Sequence, residues 1–155
     1  MSDVDTSSSA EHLYYTGAPG WTDVYIEVSL TLTQAASSNS LMVAGVTVRS
    51  NAPNLAKDYH FCGVSLTPGK SGTLGFSYLY TSSSTPIAGL GMGPHQLRVR
   101  ARGSSLSCWL AGKASTTTFS WTSSLYPSGT VELMTQGMAA RFHDIKVYGF
   151  APGCP

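Results

Sequence analysis

The chain has 155 residues, enough for one domain with a substantial core. Charged residues make up only 11% and the formal net charge is +1, which excludes the concentrated basic surface of a general nucleic-acid binder, so no nucleic-acid partner is expected. No apolar run approaches the roughly 20 residues that a spanning helix needs, so no membrane span is expected.

Residues 1–10, MSDVDTSSSA, read as a flexible polar lead. The start of the chain has neither basic residues nor an apolar run, so no secretory leader is visible. An intracellular, cytoplasmic chain fits this, and so does a chain whose leader lies beyond this sequence. The second is the expectation, and it places the protein outside the cell or on its surface.

Residues 11–151 read as a single domain, with 152–155 as a tail. The first clear strand is 23–33. Val24, Ile26, Val28, Leu30 and Leu32 alternate with Asp23, Tyr25, Glu27, Ser29 and Thr31, which sets one face on a core and the other toward solvent. Residues 41–49 repeat the pattern with Met42, Ala44, Val46 and Val48 inward. Residues 60–66 place Cys62, Val64 and Leu66 on one face. The run 73–80 is ambiguous, and TSSST at 81–85 reads as a short polar tip.

Residues 95–102 alternate Leu97, Val99 and Ala101 against Gln96, Arg98, Arg100 and Arg102. Gly103-Ser104 then makes a tight turn, and 105–110 returns with Leu106, Cys108 and Leu110 inward and Trp109 outward. This is the strongest hairpin signal in the chain. Segments 130–135 and 141–148 close the domain. Gly and Pro clusters at 17–20, 68–72, 89–94 and 127–129 read as turns or loops. Repeated period-two alternation without helical periodicity predicts an all-β fold, a two-sheet antiparallel β-sandwich.

The ordered segments GWTDVYIEVSLTL, AGVTVRS, DYHFCGVSL, HQLRVRARGSSLSCWLAG and SGTVELMTQGMAARFHDIKVYGF together resemble the concanavalin A-like lectin/glucanase superfamily, in its laminin G-like and related bacterial secreted forms. The resemblance spans roughly residues 20–149. It implies a jelly roll and, in many members, sugar binding, although one fold hosts many activities. Ala111 stands where relatives often carry an acidic or aromatic residue, and His143 where a second acid is frequent. Similar bacterial domains often place cysteines at the positions of Cys62 and Cys108. The resemblance thus implies that these two are neighbours in the core, either as a disulfide or as a pair of buried thiols. Cys154 is the odd third cysteine and reads as exposed, either unpaired or joined to another chain.

Catalytic patterns are missing from the sequence. The jelly-roll glucanases carry an E-x-D-x-x-E strand, and the acids Asp23 and Glu27, on one face of one strand, with Glu132 expected on the same sheet, do not match it. No G-x-S-x-G elbow occurs. His12, His60, His95 and His143 do not fall at zinc-ligand spacing. Gly89, Gly91 and Gly93 precede no helical segment, which argues against a phosphate loop. A calcium ion (Ca2+) is the one cofactor to consider. Asp144 is its candidate ligand, with Asp23 as a partner across the sandwich or Asp58, Asn51 and Asn54 in a loop.

The outward positions offer a different chemistry. Tyr25, Glu27, Arg98, Arg100, Trp109, Glu132, Arg141 and His143 all fall on open faces by alternation. Aromatic rings stack on the apolar C–H faces of sugars, and guanidinium groups pair bidentately with carboxylate or sulfate. These residues are expected to bind a glycan or polysaccharide, acidic ones included, without catalysis. The alternative is a structural or assembly sandwich whose faces contact other protein chains. A glycoside-cleaving enzyme of the same fold is the third reading.

Overall fold

The computed structural model describes residues 11–15, 20–35, 42–50, 60–66, 72–78, 81–111, 116–122 and 127–150. Among these residues the chain forms eleven strands and no helix. They are β1 (Glu11–Tyr15), β2 (Val24–Ala35), β3 (Met42–Ser50), β4 (His60–Leu66), β5 (Gly72–Tyr78), β6 (Thr81–Ile87), β7 (His95–Arg102), β8 (Ser105–Ala111), β9 (Thr116–Thr122), β10 (Thr130–Gln136) and β11 (Met138–Gly149).

The strands make two antiparallel sheets, a six-stranded one ordered β1-β10-β3-β4-β5-β6 and a five-stranded one ordered β11-β2-β7-β8-β9. The two pack face to face as a sandwich. The alternation of β2 sets its place: Val24, Ile26, Val28, Leu30 and Leu32 are at most 2% exposed. They meet Met42, Ala44, Val46, Val48, Cys62 and Val64 from the other sheet in one core. Burial of such side chains is worth about 1.5–3 kcal/mol each, which is what holds the layers together.

A disulfide between Cys62 on β4 and Cys108 on β8 crosses this core and joins the sheets, with Cα atoms 6.2 Å apart. One end of the sandwich is closed by polar and aromatic groups. Arg49 has a positive φ of 56°, and its buried guanidinium donates to the Thr22 carbonyl from Nε (3.0 Å) and Nη2 (2.8 Å). Burial lowers the pKa of Arg49, and nearby Asp23 partly opposes this. Asp23 also accepts a 2.8 Å bond from Gly103 N in the β7–β8 turn. Trp21 packs against the core, and a Cβ on Gly149 would collide with its ring.

The outer face of the six-stranded sheet is not the solvated face that alternation implies. All nine residues of β3 are buried, and Val43, Phe61 and Met134 form a second apolar cluster. Gly45, Gly63 and Gly75 lie directly opposite one another on β3, β4 and β5. A Cβ on these three would overlap the carbonyl oxygens of Cys62, Ala44 and Ser83 respectively.

One expectation needs correction, and two strands add to those read from alternation. The 81–85 run is not a tip but part of β6, paired along its length with β5. As an edge strand it has one ladder to satisfy and tolerates Pro86, so a polar Ser/Thr sequence suffices. The segment containing Trp121 is β9, the other sheet's edge, where β-branched threonines favour the strand without apolar alternation. Residues 11–15 form β1, which pairs with β10. The 89–94 segment is a loop as expected and lies against β2, with Leu32 N donating to Met92 O at 2.7 Å. The clusters at 17–19 and 68–71 lie outside the described residues.

Candidate functional site

The outer face of the five-stranded sheet gathers aromatic and cationic side chains because register stacks them in rows. Tyr148, Tyr25 and Arg100 stand opposite one another on β11, β2 and β7. The adjacent row is Lys146, Glu27, Arg98 and Trp109, on β11, β2, β7 and β8. Directly opposed residues of antiparallel strands point to the same face, so both rows project away from the core.

A pocket of about 410 Å³ opens on this face, lined by Tyr25, Arg98, Arg100, Trp109, Ala111 and Phe150. The Arg100 guanidinium lies 5.5 Å from the Trp109 ring centroid, within the range of a cation–π contact. Arg102 sits 5.7 Å from the Phe150 ring.

Arg98 is committed differently. Its Nε is 3.2 Å from Glu27 Oε1, and its Nη2 donates to Gln96 Oε1 at 3.2 Å. The Tyr25 hydroxyl donates to Glu27 Oε1 at 3.0 Å. Burial, and then that bond and the Glu27 charge, raise the Tyr25 pKa above its ordinary 10.0. Tyr25 is thus held as a neutral donor beside the pocket. The Glu27 charge is balanced by Arg98, so Arg100 is the cation that the pocket offers to a ligand.

The structure brings Tyr25, Glu27, Arg98, Arg100 and Trp109 together, and leaves the other candidate residues elsewhere. Glu132 belongs to the six-stranded sheet, which corrects the expectation that it shares a sheet with Asp23 and Glu27. It is 1% exposed, accepts bonds from Thr47 (3.3 Å) and Thr130 (3.2 Å), and does not face the pocket. Strand alternation fixes a residue's parity but not its sheet, which is why sequence grouped it with the others.

His143 and Arg141 do lie on the pocket's face but farther along β11. Arg141 opposes Thr31, six positions from Tyr25 on β2, or about 20 Å of strand. His143 Nε2 is 3.2 Å from Thr31 Oγ1. Asp144 is exposed and takes a positive φ of 51° at an irregularity in β11. Asp23, its possible partner, is engaged with Gly103 and Arg49. Asn51, Asn54 and Asp58 lie outside the described residues. Among the described residues no group of three His, Cys, Asp or Glu side chains gathers to hold a metal ion.

Sequence reasoning missed Tyr148 and Phe150. Their signal was present: Lys146, Tyr148 and Phe150 recur at every second position after the irregularity at Asp144. Because the bulge shifts the pairing between His143 and Lys146, alternation counted from the start of the strand does not carry through.

Among the described residues no helix is long and apolar enough to cross a membrane. No family model matches the chain, and no curated protein matches it by sequence. Its likeness is to solved structures. The carbohydrate-binding module CBM66 from Bacillus subtilis superposes with a TM-score of 0.67 at 15% identity, covering 92% of this chain and 84% of the module. The alginate lyase from Klebsiella pneumoniae gives 0.57 at 16% identity, covering 83% of this chain and 60% of the lyase. CG-16, a homodimeric agglutinin from chicken liver, gives 0.57 at 3% identity, covering 90% of this chain and all (100%) of the agglutinin. At such identities the likeness is one of fold, and the fold of this chain is the jelly-roll β-sandwich that a carbohydrate-binding module, a lyase and an agglutinin share.

Proposed function

We propose that this chain is a non-catalytic module that binds acidic glycans on the outer face of its five-stranded sheet. The observation that carries this reading is the pocket in which Arg100 lies over the Trp109 indole with Tyr25 and Phe150 alongside. An indole offers a flat apolar surface to the C–H face of a sugar. A guanidinium held against it presents paired donors to a carboxylate or sulfate. The cation also gains from the ring, by about 0.5–2 kcal/mol depending on desolvation. The jelly-roll fold, shared with a carbohydrate-binding module and an agglutinin, supports the reading.

The placement of the carboxylates supports the non-catalytic reading. Hydrolysis of a glycoside ordinarily uses two carboxyl groups flanking one bond. Glu27 approaches the pocket, and one of its oxygens is occupied by Tyr25 and Arg98. Glu132 is on the other sheet. Tyr25, with its pKa raised, suits hydrogen-bond donation better than proton abstraction. The disulfide supports an extracellular or cell-surface setting, since such bonds persist in oxidising compartments.

The test is binding to immobilised alginate, heparin and neutral polysaccharides, with Trp109→Ala and Arg100→Ala variants. We expect retention on the acidic polymers that weakens with salt, and at least a ten-fold loss of affinity in each variant with an unchanged far-ultraviolet spectrum and cooperative thermal unfolding. Retention on no glycan, or a folded Trp109→Ala protein of unchanged affinity, overturns the reading. Dimerisation that Trp109→Ala abolishes would assign the face to assembly with a second copy instead.

A further inference from the structure

The exposed Tyr148 has no role in the pocket, yet the register places it in line with the pocket's residues. Its 48% exposure is high for a large aromatic side chain. It opposes Tyr25, and Tyr25 opposes Arg100. Its ring centroid is 6.0 Å from that of Tyr25 with the planes tilted by 34°, so the two rings form a shallow open angle instead of covering each other.

We infer that Tyr148 and Tyr25 form a second aromatic subsite, and that the ligand is a linear uronate-type oligosaccharide running across the strands from β11 to β8. The inference rests on the glycan-binding reading above and specifies its ligand. The track has two aromatic poles, the tyrosine pair and Trp109. Three inter-strand steps separate Tyr148 from Trp109, about 14 Å at the usual strand spacing. That is longer than a single sugar ring, so one sugar cannot touch both Tyr148 and Trp109, while Tyr25 lies between them on the pocket's edge.

The charges between the poles suit an anionic chain. Arg100 sits in the row of the tyrosines and reaches the Trp109 ring, so it stands between the poles. Glu27, which would repel a uronate, is paired with Arg98. Lys146 is exposed beside Glu27 on β11 and adds positive charge at the tyrosine end. A chain long enough to engage both poles gains the second contact without a second loss of translational freedom, so affinity rises with length until the track is filled.

The experiment is calorimetric titration of the protein with alginate oligosaccharides, a dimer, a tetramer and a hexamer. Wild type, Tyr148→Ala, Tyr148→Phe and Trp109→Ala are compared. For wild type we expect at least a ten-fold gain in affinity from dimer to hexamer. Tyr148→Ala should bind the dimer as wild type does but lose most of the gain with length. Tyr148→Phe, which keeps the ring, should retain the gain. Trp109→Ala should weaken every length. A wild-type affinity that is flat with length, or a Tyr148→Ala protein with the full gain, overturns the second subsite while leaving the Trp109 pocket standing. Failure of every oligomer to bind wild type overturns the uronate assignment. Failure on the wider polysaccharide panel as well removes the glycan-binding reading itself.

Discussion

Removing the disulfide between the sheets should cost this domain a large share of its stability. Cys62 and Cys108 are 46 residues apart in sequence, and their bridge closes that length of chain in the unfolded state. Loop-closure entropy for such a separation amounts to about 4 kcal/mol at 25 °C. Both residues are 0% exposed, so a Cys62→Ala/Cys108→Ala protein also loses buried sulfur contacts. For a domain of this size each kcal/mol moves Tm by about 2–4 °C, so the expected fall is about 8–16 °C. Thermal unfolding by circular dichroism reads it directly, with wild type in reductant as a second path to the same state. Under oxidising conditions, peptide mapping should recover a linked 62–108 pair. A double variant whose Tm lies within about 2 °C of wild type would refute the reasoning.

Other expectations concern single positions. Gly63→Ala should destabilise by about 1–3 kcal/mol by overpacking, because its new methyl group meets the β3 backbone at Ala44 and Gly45 and the Phe61 ring; a denaturant midpoint equal to wild type would contradict this. Thr135 is 1% exposed, and its hydroxyl has no hydrogen-bond partner among the described residues. Thr135→Val should therefore raise stability by about 1 kcal/mol in the same assay. Tyr25 has its pKa raised above 10.0, so the folded protein keeps a proton that the unfolded chain releases first. Stability present below pH 10 should fall as pH rises from there through the folded pKa; a Tyr25→Phe protein should lose that part of the alkaline dependence.

The sequence was most legible where two faces differ. Strand β2 was read to within two residues because its five inward aliphatics alternate without a break. The β7–β8 hairpin was equally clear, since Gly103 supplies the positive φ of 52° that its turn requires. Legibility failed at the edges: β6 and β9 are Ser- and Thr-rich and show no apolar period. It failed also where both faces are buried, as in β3. For the site, alternation placed Arg98, Arg100 and Trp109 on a common face, but assigning a strand to one sheet or the other depends on long-range pairing. Glu132 was therefore grouped with partners it does not meet. Tyr148 was hidden by a bulge that resets the count.

The interleaving of Trp109 between Cys108 and Leu110, and of Arg98 and Arg100 around Val99, writes two messages on the same letters. Even positions on β8 speak to the interior, and odd ones to whatever arrives from outside. Substitution can rewrite the second message alone, so ligand preference can drift while the scaffold stays intact. Insertion or deletion of one residue in β7 or β8 cannot, because it exchanges the two faces at once. Descendants of this chain should therefore vary freely at Arg100 and Trp109 yet keep the lengths of these two strands fixed.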